Sequence, residues 1–123
     1  MKEIVKCGRD PSYFIDNYSK ITHPQKGLIP FKLYDFQKEL LGDYETHRFN
    51  IILKARQLGI STVTASYIVW MMLFHREKNI LVVATKLSVA ANLVKKVKLA
   101  IKNLPSWLQL ANVVIDNRNS FEL

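Results

Sequence analysis

The sequence predicts an α/β fold in which parallel strands are joined by crossover helices, with a helical lead-in at the N-terminus. Three observations carry that prediction. Two short apolar stretches, Arg48–Ala55 and Lys78–Lys86, have the length and the Ile, Leu and Val content of buried strands. Each is followed by a segment of helical length, Ser61–His75 and then Ser88–Asn103. No tight hairpin signal separates the two strands, so a parallel pair with helical crossovers is expected.

Along the chain, "DPSYFIDNY" (Asp10–Tyr18) reads as a short helix with Asp10 as its cap and Pro11 at its first position. "SKITHPQKGLIPFKL" carries Pro24, Gly27 and Pro30 and reads as loop or extended chain. From Tyr34 to about His47, Phe36, Leu40, Leu41 and Tyr44 keep helical spacing. The apolar side of Ser61–His75 is broad enough to predict a helix packed on more than one face. In Ser88–Asn103 the apolar positions are Val89, Leu93, Val97 and Ala100 or Ile101, and Pro105 ends the helix. The tail suggests a short strand at Val113–Ile115, a turn at Asp116–Asn119 and the start of another strand, at which the chain stops. That stop suggests a piece of something larger.

Composition sets the outer bounds. The 123 residues amount to one domain, and 49% apolar with 23% charged residues is ordinary for a globular protein. A net charge of +8 points to a polyanionic partner, nucleic acid first and a membrane surface second. The single Cys7 excludes an internal disulfide framework and suits a reducing compartment. "MKEIVKCGRD" lacks a signal-peptide core, and the most apolar run, Tyr67–Phe74, is far shorter than the roughly 18 residues of a membrane span. A soluble, intracellular protein with no membrane partner is expected.

The chemistry concentrates in "NIILKARQLGISTVTASYIVW", Asn50–Trp70. A loop between a buried strand and a helix N-terminus suits an anion, because its backbone N–H groups are unpaired and the helix dipole favours negative charge there. Gly59 lets the backbone approach a phosphate, Ser61 offers a hydroxyl for Mg²⁺, and Thr62 offers a second. The pattern G-x-x-x-x-G-K-[ST] is broken, since Lys54 stands at its first glycine and Ile60 at its lysine. A cation that reaches the phosphates is what the site requires, and Lys54 or Arg56 can supply it. The same residues also suit a plain helix N-cap, and from the loop alone the two readings stand level.

"KARQLGIST", Lys54–Thr62, resembles the deviant Walker A motif of tailed-bacteriophage large terminases, the ATP-driven motors that package DNA. That family has a characteristic Arg-Gln-x-Gly core, and some members carry the signature lysine at the start of the loop, where Lys54 stands here. "IPFKLYDFQKELL" resembles the family's upstream segment, in which an aromatic followed by glutamine contacts the adenine; those positions are Phe36 and Gln37. "NILVVATKLSVAANLVKKVKLAIKNLPSWLQ" resembles the second strand and the helix after it, and "NRNSFEL" the entry to a hairpin before the Walker B strand.

The resemblance implies the first half of a RecA-like P-loop ATPase domain. Residues 1–47 would be a lead-in with the adenine-contact segment, and residues 48–123 a truncated ATPase core. ATP and Mg²⁺ are the implied cofactors. Lys54 and Arg56 would bring the phosphate charge, Lys54, Ala55, Arg56, Gln57, Leu58, Gly59, Ile60, Ser61 and Thr62 the cradle, and Ser61 the metal ligand. Implied partners are double-stranded DNA, the portal protein, the small terminase subunit and further copies in a homo-oligomeric ring, all in the host cell cytoplasm. A Walker B carboxylate pair and the nuclease domain are missing, and Asp116 is a poor substitute, so this stretch alone is expected to bind nucleotide poorly or in part and not to turn over ATP. Two other readings are half of a helicase-type ATPase, and a non-catalytic protein that binds a partner of the motor.

The remaining constellations say less. Arg76–Lys102 holds seven Lys or Arg against one acid, Glu77, and a solvated lysine face is the better reading than one that tracks phosphates. His23, His47 and His75 lack metal-ligand spacing. Trp70 and Trp107 read as core or edge packing.

Overall fold

The computed structural model of the chain describes residues 2–23, 25–53, 59–75, 78–108, 115–116 and 121–122. Five α-helices dominate these residues: α1 (Lys2–Arg9), α2 (Pro11–Tyr18), α3 (Asp35–Thr46), α4 (Ile60–Phe74) and α5 (Leu87–Lys102). Strands β1 (Lys20–His23) and β2 (Gly27–Pro30) form one antiparallel pair, and β3 (Ile115–Asp116) and β4 (Phe121–Glu122) form another.

The expected parallel sheet of a RecA-like domain is therefore corrected, because every strand pair among the described residues is antiparallel and local. Residues 50–53 and 78–84 form no strand. Their apolar side chains are also not buried: Ile51 and Leu53 are 101% and 102% exposed, and Leu81 and Val83 are 87% and 82% exposed. An apolar run of strand length states that a segment needs cover, but not which layer supplies it. Here the helices spend their apolar faces on one another instead.

Helix α4 is the centre of that packing. Val63, Ala65, Ile68, Val69 and Trp70 are buried around it, and α2, α3 and α5 pack against it. The expected broad apolar face is thus filled from several directions. Helix α2 begins as the sequence predicts, with Pro11 at its first turn and Asp10 Oδ1 accepting from the Ser12 and Tyr13 N–H groups at 2.9 and 3.3 Å. Phe14 and Ile15 of α2 are fully buried in the shared core with Leu41 of α3 and Leu108 beyond α5.

Helix α1 is new relative to the sequence reading. It brings Cys7 into the core, and the Trp70 indole N–H donates to the Cys7 carbonyl at 2.8 Å, which ties the first helix to the fourth. The segment read as loop or extended chain forms the β1–β2 hairpin, with Ile21 opposite Ile29 and Gly27 at φ 71°. That hairpin is fixed to α2 by three hydrogen bonds, one of them from the Lys32 ammonium to the Asp16 carbonyl at 2.9 Å. The Phe31 N–H donates to the Ser19 carbonyl at 2.9 Å, and the Leu33 N–H donates to Asp16 Oδ1 at 3.0 Å.

Asp116, expected to open a turn, pairs with Phe121 in β3–β4; Val113, Val114 and residues 117–119 of that reading lie outside the described residues. No described helix is long and apolar enough to cross a membrane.

Candidate functional site

Two helix N-termini meet at the site. The entry to α3 supplies Phe36 and Gln37, and the entry to α4 supplies Gly59, Ile60, Ser61 and Thr62. The two helices are pinned where the hydroxyls of Tyr44, in the last turn of α3, and Thr64, in the second turn of α4, share a hydrogen bond of 3.0 Å. Lys54, Ala55, Arg56, Gln57 and Leu58 lie outside the described residues.

Gly59 caps α4 from a left-handed conformation, φ 72° and ψ 15°, and its carbonyl accepts from the Val63 N–H at 3.0 Å. Only glycine enters that region without a steric penalty of about 1–2 kcal/mol. Among the described residues no side chain caps this helix end, and no acid stands in its first turn. The N-terminal amides and the positive end of the dipole are thus left uncountered by the helix's own residues. Ser61 is exposed in that first turn, while Ile60 and Thr62 are half-buried.

Gln37 is 2% exposed. Its Oε1 accepts from the Tyr34 N–H at 2.9 Å, and its own N–H donates to the Tyr34 carbonyl at 3.0 Å. This reciprocal arrangement closes the first turn of α3. A Cβ at position 59 would stand 2.9 Å from Gln37 Nε2, so the amide rests on the one spot that glycine leaves open. The two residues chosen from distant motifs are therefore brought together.

Phe36 is half exposed beside them, and its ring stacks on the still more exposed ring of Tyr34, centroids 5.9 Å apart and planes 9° off parallel. Sequence reasoning passed over Tyr34 because it stood at a helix boundary. The signal present was an aromatic two positions from another, at the lip of a capped helix.

Among the described residues no group of three or more His, Cys, Asp or Glu side chains is placed to hold a metal ion. Ser61 offers an exposed hydroxyl at the α4 entry, which fits Mg²⁺ carried in largely by phosphate and water oxygens. On α5, Ser88, Ala91, Asn92, Lys95 and Lys98 line a groove of about 290 Å³. Lys95, Lys96 and Lys102 are exposed, as a solvated lysine face requires. Compared with models of known protein families, the chain matches none.

Proposed function

We propose that the chain is the nucleotide-binding part of a phage large terminase, a motor that couples ATP hydrolysis to the packaging of double-stranded DNA. The observation that supports the reading is Gly59, a left-handed, side-chain-free cap on a helix N-terminus with no acid in its first turn, backed by the buried amide of Gln37. In this reading the amides at the α4 entry receive the phosphates, and Lys54 with Arg56 adds the cationic charge. Ser61 takes a place on Mg²⁺, which when bound neutralises phosphate charge. Tyr34 and Phe36 offer a flat apolar surface on which an adenine ring can stack. Gln37 holds that surface to the loop rather than standing out in solvent.

The test is titration of a fluorescent ATP analogue into the chain with Mg²⁺ present, followed by competition with ATP. Wild-type chain is expected to bind saturably. Lys54→Ala, with an unchanged helical circular dichroism signal, is expected to weaken binding by about 10- to 100-fold, the range for losing a charged hydrogen bond. Arg56→Ala is expected to weaken it less. Absence of saturable binding, or wild-type affinity in both variants, removes the proposal.

A further inference from the structure

The stretch Lys78–Lys86 combines three features that a finished protein surface rarely leaves together. Exposure alternates along it: Leu81 and Val83 are 87% and 82% exposed, whereas Ile80 is 38% exposed and Val82 is half-buried. A two-residue period means an extended backbone with one face toward the protein and one toward solvent. Among the described residues no backbone hydrogen bond is made by residues 78–85. The stretch is also flanked by two exposed cations, Lys78 and Lys86, with no acid between them.

We propose that Ile80–Val83 is an edge for β-strand addition, which takes an extended apolar segment with acidic flanks from a partner chain. Backbone N–H and C=O groups would supply the pairing, and Leu81 and Val83 would pack against alternate side chains of the added strand. Lys78 and Lys86 would select its flanks by charge. A second copy of this chain is the poorer occupant. Antiparallel pairing of the stretch with itself sets Lys78 opposite Lys86, and like charges directly opposite are destabilising. The similar stretch Ile51–Leu53 carries no such charge argument, because its one flanking cation in the described chain, Arg48, lies over the Phe49 ring at 5.1 Å. The proposal does not depend on nucleotide binding.

The experiment is fluorescence polarisation with a labelled synthetic peptide, EEVTVTVEE, against the full chain. Two control peptides are used: one with lysines in place of the four glutamates, and one with alternate backbone nitrogens methylated. Saturable binding of the acidic peptide, at least tenfold tighter than the lysine-flanked one and lost on methylation, is the expected result. The double variant Leu81→Ser with Val83→Ser changes only exposed side chains, adds no charge, and is expected to keep its helical signal while losing the peptide. Failure of the acidic peptide to bind means the lysines merely guard the edge, and the proposal falls. It falls equally if both flanks bind alike, or if the double variant binds as wild type. Dimerisation in sedimentation equilibrium that the double variant abolishes would assign the edge to a second copy and overturn the acidic partner.

Discussion

Glu3 accepts two phenol hydroxyls at once, from Tyr18 at 2.6 Å and Tyr13 at 2.9 Å, while Lys6 sits 4.3 Å from the centre of the Tyr13 ring. The bond from Tyr18, then that from Tyr13, holds the Glu3 carboxyl below its ordinary value of 4.5, and the same bonds push both phenols above 10. A depressed carboxyl stabilises the fold above its unfolded value, and that contribution is lost as pH falls through the folded one. The raised phenols contribute below pH 10, and their contribution is lost as pH rises beyond it. Glu3→Gln is therefore predicted to flatten part of the acid limb of Tm below the ordinary carboxyl value of 4.5, relative to wild type. Identical acid limbs in the two proteins would remove the assignment.

At this same scale, Gln37 shows what was legible in the sequence and what was not. The resemblance of its segment, not the residue type, singled it out as an adenine contact. Its burial was illegible, because glutamine is usually exposed and the residue it rests against, Gly59, is distant in the chain.

Four of the five described helices, all but α1, were readable. Asp10, Pro11 and the spacing of Leu40, Leu41 and Tyr44 located α2 and α3, and α4 and α5 begin and end one residue from their expected bounds. Cap chemistry and 3.6-residue periodicity are local, so a single sequence carries them. Asp10→Ala is predicted to cost about 1 kcal/mol, read as a lower denaturation midpoint with unchanged slope, since it leaves the Ser12 and Tyr13 amides without their acceptor. A midpoint equal to wild type would show that water replaces the cap at no cost. Strand pairing is a non-local choice, and there the reading failed. Ile51–Leu53 and Ile80–Val83 have strand-like composition without strand partners among the described residues, while β1–β2 pairs through a segment whose prolines and glycine read as loop or extended chain.

Taken as a whole, the molecule is organised around α4, which neighbours α2, α3 and α5, and whose Trp70 also holds α1. Elements covered from several sides open only with the global transition, and edges without backbone partners exchange at once. Amide hydrogen exchange is accordingly predicted to be slowest between Val63 and Trp70 and fastest across Ile80–Val83. Protection spread evenly over both would contradict this arrangement. Buried positions of α4 could be anticipated from its run of apolar residues, but the identity of the covering helices could not, since an all-round apolar helix accepts many neighbours.

The contact between Gly59 and Gln37 also constrains how such a chain can drift. Left-handed backbone at position 59 admits asparagine or aspartate besides glycine, but either would thrust a Cβ to within 2.9 Å of the Gln37 amide. Each site thus bears on the other: enlarging position 59 requires the end of the Gln37 side chain to shift or shorten, and either change disturbs the Tyr34 cap. In an alignment of descendants, the two columns should change as a pair or remain as they are.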